Sequence, residues 1–169
     1  MAEPLEFFGT DRLRAERLSA VHLHDLAELH LDPEVSRYLG GIRTPAETSK
    51  YLRVNQAHWE RHGFGLWVLR TTDGGFAGRA GLRCIDLDGQ PEIEIAYALC
   101  RKEWGRGLAT EIGRALVEFW RLGKLSPSLV GIASLSNDPS RCVPTKIGLV
   151  HERDTRRHGE EVALYRMTR

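Results

Sequence analysis

The sequence has few cysteines, and they form neither a metal motif nor a disulfide pattern. Cys84, Cys100 and Cys142 are widely spaced, with no Cys-x-x-Cys pair, which favours reduced thiols in a cytoplasmic protein and no metal site. No apolar run approaches the length of a membrane span, and the start at Met1–Pro4 lacks the basic-then-apolar order of a signal peptide. We therefore expect a cytoplasmic protein that has no membrane partner.

An excess of charge of one sign is also missing. The 24 Lys and Arg residues are balanced by 23 Asp and Glu residues, for a formal net charge of +1, which is too weak a field to predict a nucleic-acid partner. Repeats, low-complexity tracts and linkers are not evident. The 169 residues, 41% of them hydrophobic, suit one domain over residues 1–169 with its own apolar core.

The hydrophobic periodicity predicts an α/β (α+β) domain. Period-two alternation is clearest over 92–99, whereas apolar residues recur at helical spacing from Leu108 to Phe119. Thr44-Pro45-Ala46-Glu47 is a helix start, with Thr44 as N-cap and Glu47 three residues later. The predicted order is a strand within 10–18, a helix after Ser19, a helix from Thr44 to about His62, strands at 65–70, 76–85 and 92–99, a helix over 108–123, a strand at 129–135, a short helix from Asn137 closed by Gly148, and a hairpin turning at His158–Gly159.

A glycine-bearing segment joins the strand at 92–99 to the next helix. This glycine loop reads Lys102-Glu103-Trp104-Gly105-Arg106-Gly107-Leu108-Ala109. Glycines let the backbone approach an anion closely, and the following helix presents its unpaired N–H groups at the positive end of its dipole. The loop therefore suits a diphosphate group.

The spacing of the two glycines limits which diphosphate fits. A Walker A loop requires G-x-x-x-x-G-K-S/T, which Gly105 and Gly107 do not supply. A dinucleotide fingerprint requires a third glycine, where this chain has Thr110. That fingerprint also follows the first strand of its fold, whereas three predicted strands already precede this one. The residues alone leave two interpretations open: an anion cradle, or a tight turn between a strand and a helix.

Several motifs in the same order resemble the GNAT acetyltransferases. The glycine loop is similar to their Q/R-x-x-G-x-G/A pyrophosphate loop, and 104–111 resembles the ribosomal-protein N-acetyltransferase-like branch. Other segments of this chain resemble that branch as well: Thr10-Asp11-Arg12-Leu13-Arg14, Asp32-Pro33-Glu34-Val35, Tyr38-Leu39, Asn137-Asp138-Pro139-Ser140 and Lys146-Ile147-Gly148-Leu149. The matches run from about residue 10 to residue 149.

The resemblance implies a GNAT fold and acetyl-CoA as co-substrate. In that fold a mixed, mostly antiparallel sheet is flanked by about four helices, and acetyl-CoA lies where the family's fourth and fifth strands splay apart. Backbone groups of Tyr97, Ala98 and Leu99 would pair with the pantetheine arm, and Asn137 would bind the arm from the other side. The pyrophosphate would be held by the amides of Gly105, Gly107, Leu108 and Ala109, with Lys102 and Arg106 at its edge.

The resemblance also implies direct acetyl transfer to an amine, which requires a base and an acid. Glu94 matches a family glutamate and, if partly desolvated, would have a raised pKa and accept the amine's proton. Glu92 shares its face of the strand but is expected to be solvated. Many family members place a tyrosine donor where this chain has Pro144. Ser140 could act as the acid instead, or it could simply belong to the first turn of its helix.

Other candidate residues have simpler interpretations. His58 and His62 are one helical turn apart, but no third ligand is evident, so a solvated helix face is expected. His22, His24 and His30 are interpreted most simply as surface or flank residues. Cys100, beside the glycine loop, is interpreted as a strand residue rather than a nucleophile.

Three functions follow from these alternatives. The first is an N-acetyltransferase that acts on a primary amine, which could be a protein N-terminus, an amino acid or a small amine. The second is a catalytically weak acyl-CoA-binding sensor or interaction module, which the unusual Pro144 keeps open. The third is a nucleotide-binding regulator. A homodimer is possible, since dimers are common in the family.

Overall fold

The computed structural model describes residues 5–169, so the chain start at residues 1–4 lies outside the described part. The chain forms two compact units. The first comprises the chain up to Gly81 and the segment Tyr97–Leu108, and the second comprises Leu82–Ala96 and Ala109–Arg169. Within residues 5–169, no helix combines the length and apolar character needed to cross a membrane.

Strands and helices alternate over residues 5–169 much as the periodicity predicts. The strands are β1 (Phe7–Gly9), β2 (Leu13–Arg17), β3 (Leu66–Thr71), β4 (Phe76–Leu87), β5 (Gln90–Leu99), β6 (Ser128–Ser134), β7 (Val150–Arg157) and β8 (Glu160–Thr168). The helices are α1 (Leu23–Leu31), α2 (Pro33–Ser36), α3 (Pro45–His62), α4 (Leu108–Gly123) and α5 (Asp138–Lys146), with 3₁₀ turns at Ala20–His22 and Arg101–Glu103.

The strands form one mixed sheet in the order β1-β2-β3-β4-β5-β6-β8-β7. Neighbouring strands such as β2 and β3, or β6 and β8, are antiparallel, whereas β5 and β6 are parallel. A parallel pair needs a crossover connection, and α4 supplies it. The prediction of a mixed, mostly antiparallel sheet is confirmed.

In the first unit, α3 packs its aromatic residues against β3. The indole N–H of Trp59 donates to the Leu66 carbonyl at 2.8 Å, and the Trp59 and Trp67 rings meet edge to face at 4.8 Å. The capping box at the start of α3 is present: the Thr44 N–H donates to Glu47 Oε2 at 2.7 Å, and the Glu47 N–H donates to Thr44 Oγ1 at 3.2 Å. Both boundaries of α3 agree with the sequence-based prediction.

In the second unit, an apolar cluster of Leu87, Val130 and Leu164 lies between neighbouring strands. The apolar stripe of α4 is buried, including Ile112 and Leu116, as the helical spacing predicts. The final strands β7 and β8 form the predicted hairpin.

The structure corrects several sequence-based expectations. It adds β1 and the short α2, whose N-cap Asp32 accepts from the N–H groups of Glu34 and Val35. His22 and His30 are buried, not at the surface. His22 contacts Glu16 at 3.1 Å, and His30 Nδ1 lies 2.9 Å from Thr48 Oγ1. These polar partners explain how histidines occupy buried positions.

The burial of His30 makes the stability of the protein depend on pH. Burial, and next the charges of Arg43 and Arg79, lower the pKa of His30 to about 4. The unfolded chain takes up this proton as the pH falls below about 6.5, whereas the folded chain does so only near 4. We therefore expect the free energy of unfolding to fall between these pH values by up to about 3 kcal/mol.

Urea unfolding at a series of pH values measures this effect. His30→Gln should flatten the decline between pH 6.5 and 4, whereas His24→Gln, at an exposed position of the same helix, should leave it unchanged. An unaltered slope in His30→Gln would show that other groups cause the decline.

Candidate functional site

The glycine loop is an open backbone turn that leads directly into α4. Gly105 and Gly107 have φ angles of 72° and 76°, a conformation that glycine adopts without steric cost. A Cβ placed on Gly105 would have no neighbouring atom within 4 Å. The loop therefore presents backbone rather than side chains at the start of α4, as an anion site requires.

Two hydrogen bonds fix the loop to the strands behind it. The Cys100 N–H donates to the Ala77 carbonyl at 2.9 Å, and the indole N–H of Trp104 donates to the Leu99 carbonyl at 2.9 Å. The first ties the loop to β4, and the second ties it to the end of β5. The loop is therefore held at both of its neighbouring strands.

Charged side chains stabilise the conformation of the glycine loop. Glu103 is buried, with only 7% of its side chain exposed, and it forms an ion pair with the guanidinium of Arg106. Arg12 Nη1 donates to the Arg106 carbonyl at 2.8 Å. Part of the Arg106 charge is thus committed to Glu103, whereas Lys102 lies exposed in the preceding 3₁₀ turn.

Arg12 contacts the glycine loop, a role that the sequence alone did not predict. It lies 94 positions before Arg106, and its Nη2 is 3.7 Å from where a Cβ on Gly107 would be. The only signal was its place in the Thr10–Arg14 segment that resembles the family's opening strand. Arg12 brings a positive charge next to the second glycine.

The predicted cofactor-binding residues of the first unit form one continuous stretch. Tyr97 is half-buried and Ala98 and Leu99 are buried at the end of β5, whereas Gly105, Arg106 and Gly107 are exposed. Leu108 is buried at the first turn of α4, with Ala109 next to it. The structure thus assembles a strand end, an exposed turn and a helix start in sequence.

Cys100 is poorly suited to nucleophilic attack. Burial, as the largest influence, raises the pKa of its thiol to about 11, so that the thiol is protonated at neutral pH. Since the thiolate is the nucleophilic form, this favours the interpretation that Cys100 is not a nucleophile, but the expectation that it is a strand residue is wrong. It lies directly after the last residue of β5.

In the second unit, Glu94 is buried on β5 and paired with an arginine. Only 11% of its side chain is exposed, and Arg83 Nη2 on β4 donates to Glu94 Oε2 at 2.6 Å. The backbone of Glu94 is in register with Val130 in the short parallel ladder between β5 and β6. The hypothesis that Glu94 is a base requires partial burial, which is present, whereas the arginine partner was not anticipated.

The expectation that Glu92 is solvated is wrong. Its side chain is only 14% exposed and forms an ion pair with Arg166, and Ser128 Oγ donates to its carboxylate at 2.7 Å. Arg166 in turn pairs with Glu152. Glu92 thus belongs to a polar network between strands, whose members are up to 74 positions apart.

The predicted residues Asn137 and Ser140 meet at the start of α5. Asn137 is the N-cap, and its Oδ1 accepts from the Ser140 N–H at 3.2 Å. The helix continues through Pro144 to Lys146, and Pro144 is buried, with its Cγ 3.6 Å from where a Cβ on Gly131 would be. Ser140 therefore belongs to the first turn of α5.

His58 and His62 form a small aromatic cluster at the end of α3. Their ring centroids are 4.5 Å apart, and His58 also meets Phe64 edge to face at 5.4 Å. His58 Nδ1 contacts the Phe64 carbonyl at 2.9 Å. His58 is therefore a partly buried packing residue, not part of a fully solvated face.

Comparison with known proteins places this arrangement in a family. The sequence profile described as "Acetyltransferase (GNAT) domain" matches residues 12–150. The Bacillus subtilis (strain 168) protein YkkB is 27% identical over 161 residues, which cover 92% of each chain.

Solved structures share the fold. An acetyltransferase from Agrobacterium tumefaciens C58 superimposes with a TM-score of 0.83 at 25% identity, over 96% of this chain and 94% of that chain. The ribosomal L7/L12 α-N-protein acetyltransferase RimL in complex with coenzyme A gives a TM-score of 0.81 at 18% identity, over 96% and 98% of the two chains. Because a GNAT profile covers most of a chain whose glycine loop opens into α4, the chain belongs to the GNAT family and is an acetyltransferase.

Proposed function

We propose that this protein transfers the acetyl group of acetyl-CoA directly to a primary amine. The observation that carries the proposal is the exposed turn at Gly105 and Gly107, followed at once by the N-terminus of α4. Family membership and the coenzyme A complex of the similarly folded RimL support the choice of ligand. The ribosomal-protein N-acetyltransferase-like branch is the proposed subgroup.

The glycine loop would bind the pyrophosphate. Its amides at Gly105, Gly107, Leu108 and Ala109 lie at the strand-to-helix junction, where N–H groups and the helix dipole favour an anion. Lys102 and Arg106 would stand at the edge of the site, and Arg12 adds a cation close to Gly107. Charge-assisted bonds of this kind are about twice as strong as neutral ones.

The pantetheine arm would follow the backbone of Tyr97–Leu99. The ladder between β5 and β6 ends at Ile95 and Gly131, so the backbone groups beyond Ile95 are the proposed partners of the arm. Asn137 uses its Oδ1 to cap α5, and its amide N–H₂ group is the proposed donor to the arm. No nucleic acid, membrane or metal takes part in the proposed reaction.

Glu94 is the proposed base. In the reaction, the amine nitrogen forms a bond to the acetyl carbon as the C–S bond breaks. The proton lost by the amine ends on the sulfur of CoA, so that the products are an amide and free thiol. Glu94 would accept that proton, directly or through water, and Ser140 would donate its own proton to the leaving thiolate. Transfer of a proton from Glu94 back to Ser140 through water would restore both groups. Arg83 would orient the Glu94 carboxylate through its 2.6 Å hydrogen bond.

Removing the Glu94 carboxylate should slow transfer but leave CoA binding intact. We expect Glu94→Gln to lower kcat by about 100-fold, a typical loss for a general base, while the dissociation constant of CoA stays within twofold. Thiol release from acetyl-CoA measures the rate, and calorimetry measures CoA binding.

Glu92→Gln is the matched control on the same strand. Glu92 also carries a partly buried ion pair, so this variant should lower the melting temperature and leave kcat largely unchanged. Equal kcat in Glu94→Gln and wild type would exclude Glu94 as the base. CoA binding without thiol release on any amine would favour the acyl-CoA-binding module instead of the enzyme.

A further inference from the structure

A second polar cluster, outside the glycine loop, lies in the first unit beside α3. An open cleft with a volume of about 330 Å³ runs along the N-terminal half of this helix. We call it the α3 cleft. Its lining residues include Ile42, Arg43, Glu47, Lys50, Tyr51 and Val54.

Three buried polar atoms in and behind the α3 cleft have no hydrogen-bond partner among the described residues. They are Tyr51 Oη, Arg43 Nη1 and His30 Nε2. The His30 and Tyr51 rings meet edge to face at 4.9 Å, and the Arg43 guanidinium lies 5.0 Å from the Tyr51 ring. Because an unsatisfied buried polar group costs about 1–3 kcal/mol, three in one cluster point to a ligand that satisfies them.

The chemistry of these atoms selects an anion. Arg43 can only donate, and its Nη2 already donates to the Leu39 carbonyl at 2.9 Å. Thr48 Oγ1 lies 2.9 Å from His30 Nδ1. In the tautomer that carries its proton on Nε2, His30 is a donor as well, and Tyr51 supplies an O–H. Three donors in one cluster match the acceptor oxygens of a carboxylate.

The charges around the α3 cleft agree with this choice. Arg43 and Lys50 line the cleft, and the guanidinium of Arg79 lies 5.5 Å from the Tyr51 ring. The one carboxylate among the lining residues, Glu47, already accepts from the Thr44 N–H as part of the α3 capping box. The low pKa of His30, which burial and these arginines cause, keeps its ring neutral.

The α3 cleft also has an apolar side. Ile42 and Val54 line it and are more than half exposed. An inorganic anion would leave these side chains in water, whereas a carboxylate on a hydrocarbon body would cover them. The cleft thus suits a small molecule with one anionic end and an apolar part.

The strand that carries Arg79 connects the α3 cleft to the proposed acetyl-CoA backbone site. Gly78 precedes Arg79 on β4, and it lies so close to β5 that a Cβ there would be 2.2 Å from the Ala98 carbonyl oxygen. Two consecutive residues of β4 therefore reach Tyr51 on one side and Ala98 on the other. Tyr51 of the cleft and Ala98 of the proposed pantetheine site thus contact neighbouring residues of one strand.

We propose that the α3 cleft binds the carboxylate of the acceptor, which is a small apolar amine of the amino-acid kind. This inference rests on the proposed acetyl transfer and narrows its acceptor class. Polycationic amines, which would meet Arg43, Lys50 and Arg79, are disfavoured by like-charge repulsion.

The test compares the KM values for acetylation of L-leucine and of L-leucinamide, in which an amide replaces the carboxylate. Leucine should show the lower KM, by about tenfold or more, although the less basic amine of leucinamide is more often neutral. Tyr51→Phe removes a single donor and should raise the KM for leucine about fivefold to tenfold. Arg43→Gln should raise it by more than tenfold, and neither change should alter the KM for leucinamide.

Arg53→Gln is the matched control, since Arg53 is an exposed cation of the same helix outside the set that lines the cleft. It should leave both KM values unchanged. A binding measurement is independent of turnover: 4-methylpentanoate, which is leucine without its amine, should bind to the wild-type protein, compete with leucine and lose affinity in Tyr51→Phe.

The two proposals fail in different ways. If leucinamide is acetylated as well as leucine, and Tyr51→Phe and Arg43→Gln change neither KM, the carboxylate site is wrong and acetyl transfer stands. If 4-methylpentanoate binds without competing with leucine, the acceptor assignment of the cleft is wrong. If no amine releases thiol from acetyl-CoA while 4-methylpentanoate binding still depends on Tyr51, the proposed acetyl transfer is wrong and the anion site stands.

Discussion

Replacing Gly107 with valine should weaken CoA binding by about 100-fold or more. A valine Cβ would stand at the exposed turn beside Arg12 and would block close approach of the pyrophosphate. The φ angle of 76° would also strain any β-branched residue, so that the loop would shift. Loss of one or two charge-assisted hydrogen bonds at about 1.5–3 kcal/mol each accounts for this size. Calorimetric titration with CoA measures it.

Gly159→Val separates strain from ligand obstruction. Gly159 lies in the β7–β8 hairpin at a φ of 82°, and a Cβ there meets no atom within 4 Å. This variant should lose a similar amount of stability and still bind CoA like the wild-type protein. If Gly107→Val also keeps wild-type affinity, the glycine loop does not bind the pyrophosphate, and the assignment of the site is wrong.

Replacing Gly78 with alanine should destabilise the protein by about 3 kcal/mol, because the new Cβ has no room. That atom would be 2.2 Å from the Ala98 carbonyl oxygen and 2.7 Å from the Leu99 Cα, at a φ of 138°. Both contacts are backbone atoms, so relief requires β4 and β5 to separate. Thermal unfolding should show a melting temperature lower by about 6–12 °C.

Gly78→Ala should also disturb the proposed pantetheine site, because Ala98 and Leu99 are the residues that the new Cβ would displace. CoA affinity of the remaining folded protein should therefore fall as well. Gly9→Ala is the control: its Cβ would meet a backbone oxygen at an ordinary 3.7 Å without a positive φ, and its stability should change by less than about 0.5 kcal/mol. A Gly78→Ala protein as stable as Gly9→Ala would show that β4 and β5 tolerate a wider spacing.

Elements whose signals lie within a few residues were predictable from the sequence. Both ends of α3 follow from the Thr44–Glu47 capping box and from Gly63, which adopts a φ of 72°. The turn at the glycine loop depends on two glycines separated by one residue, and both take the positive φ that only glycine adopts freely. Such short-range signals depend little on the rest of the fold.

Contacts between distant positions were not predictable. Glu92, which was expected to be solvated, pairs with Arg166, 74 positions away. Arg12 donates to the Arg106 carbonyl of the glycine loop, 94 positions away. His30 has a polar side chain, yet it is fully buried because Thr48 and Tyr51 of α3 pack against it. A single sequence without its fold does not show which residues meet at such separations.

The family resemblance, the order of most elements and the loop that suits a diphosphate could be inferred from the sequence, because each depends on local spacing and backbone freedom. The contacts between distant polar side chains depend on the tertiary structure: Arg83 at Glu94, Arg12 and Glu103 at the loop, and Arg43 with Tyr51 and His30 beside α3. Ion pairs and buried donors act over a few ångströms in space, whatever their separation along the chain. The proposed acceptor chemistry therefore follows from the folded structure, whereas the proposed co-substrate could be inferred from the sequence.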